Sequence, residues 1–189
     1  GGGGKAMVDD GMMNRFGINE VYGMHNLPGM PIGQFGTRSG PIMAAADKFE
    51  IQIEGRGAHA AMPHLAIDTV LIGSQLVTLL QSIVSRNVDP LESAVLSVTT
   101  FHAGDAFNVL PQSASMRGTV RTFNPTIQDQ VEHRMREMIA SFASLHGASI
   151  RLDYARGYPV TRNHERETTF ALESARRTAG EERVNQTLA

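Results

Sequence analysis

Between residues 47 and 154 the sequence carries strand and helix periodicities in the order strand, helix, strand, strand, helix, strand. That order constrains the fold more than any other feature. Phe49, Ile51 and Ile53 alternate with Lys48, Glu50, Gln52 and Glu54, the period of a half-buried strand, and Gly55-Arg56-Gly57 ends it. Over residues 66–86, Ile67, Val70, Leu71, Val77, Leu80 and Val84 mark the apolar stripe of a helix. Asp68 falls in its first turn, where the helix dipole favours a negative charge. Burial of such side chains stabilises by roughly 1.5–3 kcal/mol each, enough for the stripe to anchor the helix on a sheet. Residues 93–101 read as a second strand. Residues 113–123 read as a third, with Met116, Gly118 and Val120 on one face and Arg117, Thr119 and Arg121 on the other. Asn124-Pro125-Thr126 is a helix entry. Ile127, Val131, Met135, Ile139 and Phe142 then recur about every four residues, His146-Gly147 closes the helix, and residues 149–154 form a fourth strand. The sum is α+β: a ferredoxin-like βαββαβ domain, a four-stranded antiparallel sheet with both helices on one face.

Outside this stretch the patterns weaken. Residues 5–16 suggest a helix stopped by Gly17, residues 20–24 a short strand, and residues 169–179 a further helix. The segments before Pro41 and after Ala155 are expected to form a second unit together, so the chain divides as 1–40, 41–155 and 156–189. The opening run Gly1-Gly2-Gly3-Gly4, which a linker would also explain, and the polar C-terminal stretch read as cuts through something longer. Net charge is −2 with no cluster of Lys and Arg, against a dedicated nucleic-acid binder. No run of eighteen apolar residues suggests a membrane span. The chain has no Cys, which excludes disulfides and thiolate metal sites.

Few residues stand out chemically. The glycine run before Lys5 fails as a phosphate-binding loop, because Ala6 stands where Ser or Thr should hold the metal. Of seven histidines, none forms a His-Glu-x-x-His or His-x-His pair. His133 and His146 read as surface positions, while His102 and His164 sit in turn-like sequence. Gly57-Ala58-His59-Ala60-Ala61-Met62-Pro63-His64 is more informative. Its small residues let backbone approach a ligand, and His59 either donates to a developing oxyanion or caps the following helix. Asn108, in a compact Asn-Val-Leu-Pro turn, offers an amide to a carbonyl or carboxylate. Arg121, on the open face of its strand, is either solvated or a bidentate carboxylate ligand. His25 ends the expected early strand, as a metal ligand or a structural loop residue; one imidazole does not make a metal site.

Taken together, these segments resemble the dinuclear metal-dependent amidohydrolases of the aminoacylase and carboxypeptidase type, in the branch of hippurate hydrolase and auxin-conjugate hydrolase. The motifs are Gly1 to Met7, Gly23-Met24-His25-Asn26-Leu27-Pro28-Gly29, Gly40-Pro41-Ile42-Met43-Ala44, the Gly57 to His64 loop, Ala103 to Pro111, and Gly118-Thr119-Val120-Arg121-Thr122-Phe123. The resemblance implies a catalytic domain with two divalent metal ions (Zn, Mn, Co or Ni), and an inserted lid domain, residues 41–155, that also makes a homodimer. It implies that His25 is a metal ligand and that His59 stabilises the oxyanion in the partner's site. Asn108 and Arg121 would bind an N-acyl amino acid, Arg121 through its carboxylate. The family's Cys-Gly-His-Asp motif, the Glu-Glu pair that sits just before the glycines, and the Gly-Glu-Asp-Phe motif are absent. The expectation is therefore an internal piece of a cytoplasmic amidohydrolase, inactive alone and binding no metal stably. A stand-alone βαββαβ dimerisation or amino-acid-binding module is the alternative. An RNA-binding sheet would instead show aromatics on the open face, where Arg, Thr, Lys and Glu stand.

Overall fold

Alternation along residues 45–54 gives a ten-residue strand whose odd-numbered side chains, Ala45 through Ile53, are buried. The computed structural model describes residues 3–186 of the chain; Gly1, Gly2 and residues 187–189 lie outside them. Two compact units are present, Met43–Thr161, and Gly1–Ile42 with Arg162–Ala189.

The Met43–Thr161 unit contains β1 (Ala45–Glu54), α1 (Thr69–Arg86), β2 (Ala94–Ala103), β3 (Ser113–Thr122), α2 (Pro125–His146) and β4 (Ser149–Ala155). All strand pairings are antiparallel, in the order β2-β3-β1-β4. This is the expected ferredoxin-like βαββαβ fold. The core lies between the sheet and the two helices: Ile51, Ile53, Met116 and Val120 from the strands meet Leu76, Leu80, Ile83, Val131 and Met135. Asn124 caps α2 by accepting from the Thr126 amide, with Pro125 at the first helical position, and Gly147 closes the helix in the left-handed conformation.

The stripe of α1 needs correction. Ile72, Leu76, Leu80 and Ile83 face the sheet, whereas Val70 and Leu71 are exposed. Apolar residues cover more than one arc of this helix, so spacing alone admits two overlapping stripes, and only the sheet selects one. Asp68 is the N-cap itself, its carboxylate accepting from the amides of Val70 and Leu71 at 2.9 and 3.0 Å. His102 lies within β2 rather than a turn. His146 is half-buried rather than on the surface, its ring edge-on to Phe142 with centroids 4.4 Å apart.

In the other unit, the helix expected over 5–16 is two pieces, Gly3–Asp9 and Met12–Arg15, parted at Gly11, whose φ of 83° no regular helix accommodates. The strand expected over 20–24 is absent, because that segment finds no ladder partner among the described residues. Tyr22 instead stacks obliquely on Phe170, and Glu20 pairs with Arg166. The late helix spans Glu165–Ala179, starting earlier than expected, with Glu165 and Glu167 in its first turn and Arg176 and Arg177 in its last, all favourable to its dipole. Phe35–Gly36 runs parallel to Val184–Asn185. No helix of the described residues is long and apolar enough to cross a membrane.

Candidate functional site

Beyond the Glu54 and Ser113 end of the sheet, the two central strands continue as a small tab. Gly55 donates to the Gln112 carbonyl at 2.8 Å, and Ala58–His59 pairs with Val109–Leu110. His59 is opposite Val109, and Ala60 donates to the Asn108 carbonyl at 3.0 Å. The small residues of the loop serve this approach. A Cβ at Gly57 would stand 3.0 Å from the Leu110 carbonyl oxygen, so what comes close there is the chain's own backbone.

His59 does not cap α1, a role filled by Asp68. Its Nδ1 accepts from the Ala61 amide at 3.1 Å. A nitrogen used as acceptor carries no proton, so the neutral ring holds its hydrogen at Nε2. His59 is exposed, and it thus presents a fixed N–H donor outward beside Asn108. The Asn108 side chain, also exposed, makes no hydrogen bond among the described residues.

Arg121 is not part of this cluster. It lies eight residues along β3 from Ser113, about 27 Å at the rise of an antiparallel strand, on the face of the sheet away from the helices. Its Nη1 donates to the Thr119 hydroxyl, to the Val120 carbonyl at 3.0 Å and to the Asp47 carbonyl at 3.4 Å. No carboxylate among the described residues pairs with it, although it is half-buried. Its Nε and Nη2 edge has the fork geometry that binds a carboxylate bidentately.

His25 stands in the other unit, exposed, with Nδ1 2.7 Å from the Asn26 carbonyl. Among the described residues no group of three or more His, Asp or Glu is arranged to hold a metal ion. These residues by themselves do not fit a dinuclear centre.

Asp47 shares the parity of Phe49, Ile51 and Ile53 and is therefore buried on the core face, with 1% exposure. Gln128 Nε2 donates to both its oxygens at 3.0 and 2.8 Å, Tyr154 OH donates at 2.7 Å and the Gly157 amide at 3.1 Å. Every partner is a donor, so both carboxylate oxygens are satisfied. Desolvation, followed by its bond to Asp47, pushes the Tyr154 phenol well above its usual range and keeps it a donor. An acidic residue at an inward position of a strand was the signal in the sequence.

The peptidase dimerisation domain model matches residues 45–145. An N-acyl-L-amino acid amidohydrolase of Geobacillus stearothermophilus is 46% identical over 87% of this chain and 44% of its own length. The hippurate hydrolase of Campylobacter jejuni is 37% identical over 95% of this chain and 47% of its own. A solved structure from Bacillus subtilis, a dinuclear metal-binding peptidase of family M20, superposes with a TM-score of 0.74 at 30% identity, covering 97% of this chain and 45% of that one. The chain spans less than half the length of the curated relatives it matches. With the match covering more than half of the chain and running from β1 almost to the end of α2, the chain belongs to the peptidase dimerisation domain family of the M20 hydrolases.

Proposed function

We propose that this chain is the lid and dimerisation portion of a metal-dependent amidohydrolase that cleaves the amide bond of N-acyl amino acids, hippurate-like substrates included. Residues 41–155 would be the lid, and 1–40 and 156–189 pieces of the catalytic domain. The observation that carries this reading is the tab, where a His with a fixed outward Nε2–H stands beside an unengaged Asn amide. In such a reaction the amide carbonyl oxygen gains negative charge, and a preplaced N–H donor stabilises that charge more than it stabilises the substrate. Asn108 would hold the polar atoms of the same group, and Arg121 the amino-acid carboxylate.

The tab and Arg121 stand at opposite ends of the sheet, too far apart for one lid to present both to one small substrate. A two-fold homodimer meets this geometry, because each lid can lend its tab to a site that uses the other's Arg121. Of the two sheet edges, β2 is the better candidate for pairing. It is ten residues long with Val95 and Phe101 part-exposed, next to the exposed Val70 and Leu71 of α1, whereas β4 carries the charged Arg151 and Asp153. Two divalent ions belong to this proposal, with His25 as one ligand and the rest supplied from outside the described residues. The chain alone would be inactive and the enzyme cytoplasmic, which cell fractionation checks.

The test is His59→Ala in the complete enzyme that carries this sequence. The expected result is a fall in kcat of about 10²–10³, typical for one oxyanion donor, with the dimer intact by light scattering. Turnover at the wild-type rate would remove His59 from the mechanism. Hydrolysis by the 189-residue chain alone would overturn its reading as a lid.

A further inference from the structure

Arg121 is held from one side only. Its Nη1 reaches the Thr119 hydroxyl, which itself donates to the Asp47 carbonyl at 2.8 Å; Arg121 also points at that carbonyl directly, at 3.4 Å. On the other face of the same residue the Asp47 carboxylate is anchored by Gln128 of α2, by Tyr154 of β4 and by the Gly157 amide. Asp47 therefore joins two faces of the sheet, with a buried side chain that cannot shift and a carbonyl that receives the Thr119–Arg121 pair. A guanidinium on a flexible stem loses rotamer freedom when it binds, and pre-ordering reduces that cost.

We propose that Thr119 and Asp47 are positioning residues for Arg121, forming a seat that occupies Nη1 and turns the Nε and Nη2 edge toward a ligand carboxylate. The inference rests on the proposed function, since it takes Arg121 to be the carboxylate ligand. The seat makes carboxylate recognition depend on a hydroxyl that never touches the substrate.

The experiment uses the complete metal-loaded enzyme with two substrates, an N-acyl amino acid and the corresponding N-acyl amino-acid amide, which lacks the carboxylate. Thr119→Val keeps the size and β-branching of the side chain and removes the hydroxyl. It is expected to raise KM for the acid about tenfold, the loss of one hydrogen bond to a charged group. kcat and the amide's kinetics should stay within about twofold, and Thr119→Ser should restore the wild-type KM. Equal losses on both substrates would mean that Thr119 is merely structural and would overturn the seat. An unchanged KM in Thr119→Val, alongside a large rise in Arg121→Ala, would overturn the seat and leave Arg121 as the ligand. An unchanged KM in Arg121→Ala would overturn the carboxylate reading itself, and the seat with it. Asp47→Asn, checked by circular dichroism for a folded lid, gives a second measurement; a raised KM confined to the acid substrate supports the seat, and an unchanged KM counts against it.

Discussion

The two units of this chain differ in what holds them. The Met43–Thr161 unit contains every buried apolar side chain among the described residues, drawn from both helices and the strands of its sheet. In the other unit the buried residue is Thr168, while Phe16, Val21, Met24, Ile32 and Phe170 are exposed. Helix propensity, caps and ion pairs form local structure there, but apolar burial is what makes a unit cooperative. The Met43–Thr161 unit has the means to fold on its own, whereas the described residues of the other unit form helices and a short ladder without a buried apolar core.

The contrast breaks most readily at a core side chain. Leu80→Ala is expected to lower stability by about 2–5 kcal/mol, the range for a buried leucine leaving a cavity. Phe170→Ala in the other unit should stay within about 0.5 kcal/mol, as for surface positions. Urea unfolding of both variants measures this, and equal losses would erase the distinction. Next in size is Asp47→Ala, which strands the Gln128 and Tyr154 donors in the Met43–Thr161 unit. An unmet buried polar group costs about 1–3 kcal/mol, so thermal unfolding should shift by several degrees. Asp68→Ala removes the cap of α1 and should cost about 1 kcal/mol in the same assay.

The smallest effects are those of pH. Burial opposes ionisation of Glu132, but hydrogen bonds from Arg136 and Arg156 outweigh it and hold the carboxyl below its usual value of 4.5. A lowered folded pKa gives stability that is present above the unfolded value and lost as pH falls through the folded one. Acid unfolding of the Met43–Thr161 unit should therefore steepen below about pH 4.5, and Arg156→Gln should flatten it. Tyr154 has the opposite sign. Its raised pKa adds stability below the ordinary phenol value of 10.0 that is lost as pH rises beyond it. Tyr154→Phe should remove that part of the alkaline slope, read by fluorescence or circular dichroism.

Much of the Met43–Thr161 unit was legible because its signals are local. Phe49, Ile51 and Ile53 state the period of β1, and Asn124-Pro125 and Gly147 bracket α2. Spacing does not select the buried arc of α1, because Val70 and Leu71 are as apolar as Ile72 and Leu76. Residues 20–24 have a strand's composition, but a strand exists only when another pairs with it. Among site candidates, His59 and Asn108 stood out as residues in Gly- and Pro-marked turns. Their adjacency could not be read, because the tab joins positions nearly fifty residues apart through two backbone pairings. The Thr119 and Asp47 seat was hidden for the same reason, since Lys48 and Thr119 become neighbours only in the register of β1 with β3.

By itself the sequence determined the order of elements in the Met43–Thr161 unit, the faces of β1, β3 and α2, the caps of α2 and the residue types able to hold an oxyanion or a carboxylate. These depend on period and on side-chain chemistry, which a linear chain carries. Only the tertiary structure decided which arc of α1 is buried, that His59 turns Nδ1 to the Ala61 amide, and that Asp47 is buried with its carboxylate fully hydrogen-bonded. It also decided that the tab and Arg121 stand at opposite ends of one sheet. Each of these follows from strand register and packing between distant residues, where the free energy depends on which groups meet rather than on which groups are present.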